Sequence, residues 1–436
     1  MNSVGGGSTA LLTDHYELTM LQASLASGTA DRHSVFELFP RRLPEGRRYG
    51  VVAGVGRALE AIERFHFDDE ALTMLSDLVN EETIDWLRDY RFSGSVWGYA
   101  EGEMYFPHSP LAVVESSFAE AVLLETLLLS IYNHDSAVAS AASRMTMAAG
   151  DRPCIEMGSR RTHEMAAIAS ARAAYIAGFR ATSNLAARHL HGVPSMGTSA
   201  HSFTLLHDSE EGAFRAQVKS LGAGTTLLVD TYDVAEAVRL GVEVAGPGLG
   251  AVRLDSGDLG AIAHEVRAQL DGLGATDTRI VVTSDLDEFA ISALAAAPVD
   301  SYGVGTELVT GSGHPTCGFV YKLVAREDDE GQLVSVAKKS LHKISMGGRK
   351  WALRRRDPSG VAQAEVVGVG TPPENDGDDR PLLVELVRAG KVVGAEPLDA
   401  ARDRHAMARA ELPPAAEQMS KGEPVIPTEF GDAGGS

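Results

Sequence analysis

Residues 251–306 read AVRLDSGDLGAIAHEVRAQLDGLGATDTRIVVTSDLDEFAISALAAAPVDSYGVGT. Three short apolar runs stand in this stretch: Ala251–Leu254, Arg279–Thr283 and Ser301–Val304. Helical runs, Leu259–Leu270 and Leu286–Ala296, separate them. Apolar runs this short, bounded by turn residues, suit buried strands, and the longer amphipathic runs suit helices. Strands joined through helices lie parallel, because a parallel neighbour needs a crossover connection.

The same alternation extends upstream to Arg152. It adds candidate strands at Pro153–Met157, Phe179–Thr182, Val193–Gly197 and Thr225–Val229. Helical runs lie between them at Thr162–Ala177, Asn184–His189, Glu211–Leu221 and Val234–Leu240. Some seven such units favour a closed or nearly closed α/β barrel over an open doubly wound sheet. The region before residue 151 is mixed. It predicts a helix over Asp14–Ala26, a strand over Ser34–Phe39, and helical segments over Gly50–Phe65, Asp68–Leu78 and Glu82–Tyr90. A hairpin follows over Gly94–Phe106, then a long helical stretch, Phe118–Ala149, interrupted around Asn133–Asp135. After Phe319 the pattern turns to short strands and polar turns, with a Pro/Gly/Asp loop at Thr371–Arg380 and a frayed end over Lys421–Ser436. The predicted organisation is an N-terminal α+β domain with the long helices (1–150), a barrel (151–325) and C-terminal segments (326–436) that partly return to the first domain.

The 436 residues carry 39 Lys plus Arg against 60 Asp plus Glu, a formal net charge of −21. That balance argues against a binder of nucleic acid or anionic membrane, since no global field attracts polyanions. An anionic substrate must then be held by local cations, helix N-termini or a metal ion. Two cysteines, Cys154 and Cys317, make no disulfide framework and point to a reducing compartment. The first residues show no basic n-region and no apolar h-region, so a cytoplasmic location is expected. No apolar run approaches the ~18 residues of a membrane span.

Barrel active sites form at the C-terminal strand ends, and here nearly every strand ends in a polar cluster. These are Gly158-Ser159-Arg160-Arg161, Thr182-Ser183-Asn184, Gly197-Thr198-Ser199-Ala200-His201, Asp230-Thr231, Arg253 to Asp258, Ser284-Asp285 and Gly303-Val304-Gly305-Thr306. Asp, Ser and Thr are also good helix caps, so any one cluster is equally well plain turn chemistry. Turn chemistry does not call for arginines at strand ends, however. Gly303-x-Gly305-Thr306 lets backbone N–H groups approach a phosphate after the last strand. Arg253 and Asp255, two apart on a strand, face one side. The arginine suits a planar carboxylate, and Asp255 suits a ribose hydroxyl or a metal-bound water. Asp230 and Asp285 extend this acidic ring. Carboxylates without a Cys/His cage suit Mg²⁺, which binds through few carboxylates plus substrate phosphates. His201, after four small residues, is open to act as base, metal ligand or phosphoryl acceptor.

With these motifs in order, the chain resembles the nicotinate phosphoribosyltransferases. The resemblance rests on Thr13-Asp14-His15-Tyr16-Glu17-Leu18-Thr19-Met20, Glu156-Met157-Gly158-Ser159-Arg160-Arg161, Gly197 to Phe203, Val252 to Leu259, Gly303 to Thr306 and Val320-Tyr321-Lys322-Leu323-Val324. Residues Lys339 to Arg354 are similar to the family's late Lys/Gly-rich segment. The resemblance implies an irregular TIM-like α/β barrel with a second α+β domain built from the N-terminal part and C-terminal segments. It implies transfer of the phosphoribosyl group of 5-phosphoribosyl 1-diphosphate to nicotinate, giving nicotinate mononucleotide and diphosphate, coupled to ATP hydrolysis with Mg²⁺. His201 matches the phosphorylated histidine. Tyr16, Thr198 and Arg253 match nicotinate-site positions, and Arg160 falls where related enzymes contact ligand. Thr306 with Gly305, Asp230 and Asp285 is assigned to the phosphoribosyl donor, and Asp255 to catalysis. A homodimer with shared active sites is implied, Tyr16 serving the partner's barrel. Ser183 follows Ala181-Thr182 where nicotinamide-using relatives carry an Asp, which favours the acid as substrate. Met157 stands where those relatives keep an aromatic ring.

Three rival readings remain open at this point. A quinolinate-type decarboxylating transferase would need a more basic pocket and no phosphohistidine. A barrel lyase or aldolase would need a Schiff-base lysine at a strand end, and the seven ends offer none. A catalytically silent metabolite-binding protein is disfavoured by the set His201, Arg253 and Thr306.

Overall fold

Apolar strand centres and polar strand tips together build one all-parallel sheet in the middle of the chain. Its order is Ala181–Thr182, Cys154–Glu156, Ser301–Val304, Arg279–Ser284, Ala251–Leu254, Thr226–Leu228. The sheet is curled into half a barrel. Its strands bury Val252, Leu254, Ile280, Val282, Tyr302 and Val304 completely. Each such aliphatic side chain contributes about 1.5–3 kcal/mol when taken from water. Helices Glu164–Ile176, Leu185–His191, Glu210–Leu221, Val234–Ala245 and Leu259–Gly272 make the crossovers. This computed structural model describes residues 7–338 and 346–431. The chain divides into two compact units, Met1–Ala137 with Thr316–Ser436, and Val138–Pro315. The half-barrel is the second of these.

The first unit is mostly antiparallel. A seven-stranded sheet runs Leu333–Ser335, Phe319–Glu327, His33–Pro40, Ala112–Ser117, Ser95–Tyr99, Leu383–Arg388, Lys391–Val392. A four-stranded sheet runs Arg380–Pro381, Lys350–Arg356, Ala362–Val369, Thr428–Phe430. The strand His33–Pro40 is buried on both faces, with only its first residue exposed. Phe36 stacks on Tyr321 of the neighbouring strand at 4.9 Å, an aromatic pair worth more than its area. Two pairs of buried charges stand in this unit: Lys350 Nζ lies 2.6 Å from Glu37 Oε2, and Arg354 Nη2 lies 3.0 Å from Glu365 Oε2. No helix among the described residues is long and apolar enough to cross a membrane.

Several local expectations are corrected. Val193–Gly197 is not a strand. Pro194 has no N–H to give a ladder, so only Ser195 makes a bridge, to Thr182. Gly94–Phe106 is not a hairpin, because Ser95–Tyr99 pairs with Ala112–Ser117 and Leu383–Arg388, while Met104–Tyr105 pairs with Gly50–Val51. The helical segment expected over Gly50–Phe65 therefore begins as a strand, and its helix covers Val55–Glu63. The long helix is not broken at Asn133–Asp135. It breaks at Leu123–Leu124, between Phe118–Val122 and Glu125–Ala149. Asp135 is tolerated mid-helix because Arg57 Nη1 reaches both of its carboxylate oxygens, at 2.7 and 2.9 Å. The end of the chain is not frayed where described. Thr428–Phe430 adds a parallel strand to Ala362–Val369, and Ile426 is buried. Within the late segment 339–354, residues 339–345 lie outside the described residues, and Lys350–Arg356 is a strand.

Candidate active site

The structure separates strand-tip residues that cap helices from those that do not. Asn184, Asp233, Asp258 and Asp287 each accept a backbone N–H of the helix that follows, at 2.7–3.2 Å. They are turn chemistry, filling one of the orphan donors at a helix start. Asp230, Asp255 and Asp285 stand two or three residues earlier and cap nothing, so their carboxylates turn to one another's loops. Asp230 Oδ2 accepts from the Asp255 N–H at 2.9 Å and from Ser256 Oγ at 2.8 Å. Asp255 accepts from the Thr283 hydroxyl. Thr306 Oγ1 lies 3.4 Å from Asp285 Oδ1.

These tips surround a cleft of about 220 Å³, lined by Arg160, Arg253, Asp255, Asp285, Gly305 and Thr306 among others. A smaller apolar cavity of about 60 Å³ adjoins it through Arg253 and Met157 and adds Thr198 and Met196. Gly303 permits this closeness: a Cβ there would lie 2.4 Å from Thr283 Cγ2 and 2.8 Å from Met157 Sδ.

Arg253 is half-buried, and its Nη1 donates to Thr198 Oγ1. Burial lowers its affinity for the proton, Asp255 and Asp230 restore part of it, and Arg160 acts against it as a like charge. Its Nε is buried with no hydrogen-bond partner among the described residues, and so is Asp230 Oδ1. A buried charged donor and a buried charged acceptor left open are expensive.

His201 opens the five-residue helix His201–Leu205. Its Nδ1 lies 3.1 Å from Thr231 Oγ1, and its Nε2 lies 3.9 Å from Asp255 Oδ2. The hydroxyl fixes the ring through one nitrogen and leaves the other toward the acidic tip.

Nine of the ten residues singled out in the sequence thus lie in one unit: Arg160, Thr198, His201, Asp230, Arg253, Asp255, Asp285, Gly305 and Thr306. Tyr16 lies in the other unit, exposed on helix His15–Ala26. Burial, then the charges of Glu125 and Glu17, push its phenol up to about 12. Thr283 and Thr231, the partners that orient Asp255 and His201, were not singled out. Thr283 carries a usable signal, a hydroxyl in the otherwise apolar run Ile280-Val281-Val282-Thr283. Among the described residues no group of three or more His, Cys, Asp or Glu is arranged as a closed metal cage.

Comparison with known proteins gives a single picture. Residues 11–133 match the nicotinate phosphoribosyltransferase (NAPRTase) N-terminal domain. The chain is 57% identical over 427 residues to the nicotinate phosphoribosyltransferase pncB1 of Mycobacterium tuberculosis, covering 96% of this chain and 94% of that one. It is 39% identical over 360 residues to the nicotinate phosphoribosyltransferase of Bacillus subtilis, covering 80% and 73%. Among solved structures, human nicotinic acid phosphoribosyltransferase superposes with a TM-score of 0.82 at 24% identity, over 96% of this chain and 98% of that one. That likeness speaks for the fold alone: a half-barrel unit and a second unit built from both ends of the chain.

Proposed function

The chain belongs to the nicotinate phosphoribosyltransferase family, and from that premise we propose that its cleft joins nicotinate to 5-phosphoribosyl 1-diphosphate by an ATP-coupled reaction. The observation that carries this reading is one cleft lined together by Arg253, Asp255, Asp285, Gly305 and Thr306. A planar carboxylate takes the open guanidinium donors of Arg253. With the carboxylate there, the pyridine nitrogen faces the sugar. That nitrogen is already a nucleophile, so the reaction needs no general base.

The bond that forms is from the pyridine nitrogen to C1 of the ribose, and the bond that breaks is from C1 to the diphosphate oxygen. Positive charge grows on the sugar as it breaks. Asp255, aligned by Thr283, and Asp230 are the carboxylates placed to hold ribose hydroxyls and steady that charge. The Gly305 and Thr306 loop is the anion cradle for the donor's phosphates. Asp285, which lines the cleft, would offer magnesium a carboxylate, because this ion keeps few protein ligands and shares phosphates. When bound, it would neutralise charge on the leaving diphosphate.

His201 is the proposed phosphoryl acceptor. Thr231 holds Nδ1, which supports Nε2 as the attacking atom. In that step the Nε2–P bond forms, the bond from the γ-phosphorus to the bridging oxygen breaks, and ADP leaves. Water later takes the phosphoryl group, and the cycle drives ligation by changing the affinities of the cleft. A second copy of the chain is proposed to complete the site with Tyr16. Exposed Leu11, Leu12 and Tyr16 in one unit, and Leu185, Met196, Leu205 and Leu206 in the other, support such a partner.

The test is product identity. With 5-phosphoribosyl 1-diphosphate and ATP present, nicotinate, nicotinamide and quinolinate are offered in turn and the products weighed by mass spectrometry. Nicotinate mononucleotide from nicotinate alone is the expected result. A product from quinolinate with loss of carbon dioxide would overturn the reading.

A further inference from the structure

One buried acid near the cleft has no part in the chemistry above. Glu156 ends the strand Cys154–Glu156 and is fully buried. No cation is paired with it among the described residues. Burial raises its pKa, and hydrogen bonds from Thr182 and Gly158 oppose the rise.

Its bonds reach several strand tips at once. Oε1 accepts from the Gly158 N–H, and Oε2 accepts from the Thr182 hydroxyl. Its own carbonyl accepts from the Ser183 N–H at 2.8 Å. Thr182 Oγ1 in turn accepts from the Asn184 N–H at 2.9 Å, and Asn184 Nδ2 donates to Ser159 Oγ at 3.0 Å. Gly158 is packed hard against the next loop. A Cβ on it would lie 2.3 Å from Val309 Cγ1 and 3.0 Å from the Gly305 carbonyl oxygen. One residue earlier, the Met157 N–H donates to the Val304 carbonyl at 2.8 Å. The carboxylate therefore fixes the peptide that buttresses Gly305 and Thr306.

We propose that Glu156 is a positioning residue for the phosphoribosyl-donor end of the cleft, holding Gly158 against the Gly305–Val309 turn and tying that tip to Thr182. It reaches neither substrate. Its hold acts on the loop that cradles the donor's phosphates, whereas the Arg253–Thr198 pair receives no bond from it. What the position asks for is an acceptor for the Gly158 N–H and a polar partner for Thr182 Oγ1. A glutamine still accepts from Gly158 and can donate to Thr182 Oγ1, whose hydroxyl then turns away. An alanine leaves both donors without a partner.

The proposal rests on the functional reading above, and the experiment separates the two. Donor binding is measured by calorimetry with 5-phosphoribosyl 1-diphosphate alone, and KM is measured for donor and for nicotinate. In Glu156→Ala the donor KM and Kd should rise about tenfold to a hundredfold, the scale of a misplaced cradle. The nicotinate KM should stay within about threefold. Glu156→Gln should restore donor affinity to near wild type. Gly158→Ala, whose Cβ would press on Val309 Cγ1 and the Gly305 carbonyl and lie 3.1 Å from Glu156 Oε1, leaves the carboxylate in the chain and should reproduce the donor defect. It keeps the test open should Glu156→Ala fail to fold. Unchanged donor affinity in both the Glu156→Ala and Gly158→Ala proteins, equal rises for both substrates, or a glutamine variant as impaired as the alanine would overturn the proposal. A wild-type protein that binds donor but yields no nicotinate mononucleotide would instead remove the functional reading and leave the donor-binding test standing.

Discussion

Replacing Arg253 tests the division of the cleft most directly. The guanidinium is half-buried, donates to Thr198 and feels the charges of Asp255 and Asp230, and it lines the cleft. A nicotinate carboxylate would take the guanidinium donors that face the cleft in a charge-assisted pair. Removing one partner of a desolvated charge pair costs about 2–5 kcal/mol. At about 1.4 kcal/mol per factor of ten, that is roughly a thirtyfold to few-thousandfold loss in kcat/KM for nicotinate. Arg253→Lys keeps the charge and loses the fork, so it should fall near the lower end of that range rather than behave as wild type. The assay is steady-state kinetics with each substrate varied at saturating levels of the other. The donor KM should move by less than about threefold, because Gly305 and Thr306 hold the phosphates from other loops. Equal effects on both substrates would refute the assignment of Arg253 as carboxylate reader. So would a full rescue by lysine.

Three further outcomes are expected. Incubation of the wild type with γ-labelled ATP should leave acid-labile phosphate on the protein, and His201→Ala should carry none while keeping a slow ATP-independent transfer; label on the variant would exclude His201. Burial alone would raise the Asp135 carboxyl, but Arg57 and His134 bring it below its ordinary value. Its stabilisation is thus present above the unfolded carboxylate pKa near ~3.9 and is lost as pH falls through the lower folded value. Arg57→Ala should therefore destabilise by about 3 kcal/mol at neutral pH, and the gap to wild type in denaturant melts should shrink below about pH 4; a gap independent of pH would contradict the pairing. Ending the chain at residue 424 should lower the melting temperature by several degrees, since Thr428–Phe430 pairs with Ala362–Val369 and Thr428 Oγ1 donates to the Pro107 carbonyl at 2.6 Å; an unchanged melting temperature would mean that the strand adds nothing to stability.

How far the fold can be read from the sequence depends on whether its determinants are local. The strands of the half-barrel announce themselves because two to six residues, mostly apolar, suffice for a buried strand, and each tip is written next to its strand. The antiparallel unit is harder. Ser95–Tyr99 finds its partners at Ala112–Ser117 and at Leu383–Arg388, nearly three hundred residues on, and nothing in Gly94–Phe106 records that. Local alternation there resembles a hairpin because both strands are real while their pairing is not. Val193–Gly197 fails for the opposite reason. Its pattern fits a strand, but Pro194 withholds the N–H, and a single bridge remains.

Within the site, spacing carries more than composition. Asp255 and Asp258 are the same residue type three positions apart in one tip, yet only Asp258 sits directly before the helix and is consumed as its cap. That rule of position frees Asp255, and likewise Asp230 before Asp233 and Asp285 before Asp287. Glu156 is the case spacing does not resolve. It stands at a strand end as the ring aspartates do, within the motif Glu156 to Arg161. Its neighbours Gly158 and Thr182 turn it inward, because a glycine N–H and a threonine hydroxyl supply the donors that a buried carboxylate needs. A carboxylate held in that way and fully buried does not reach the cleft. What distinguishes an acid that reacts from an acid that holds is therefore which donors surround it, and those donors come from two loops that only the folded sheet brings together.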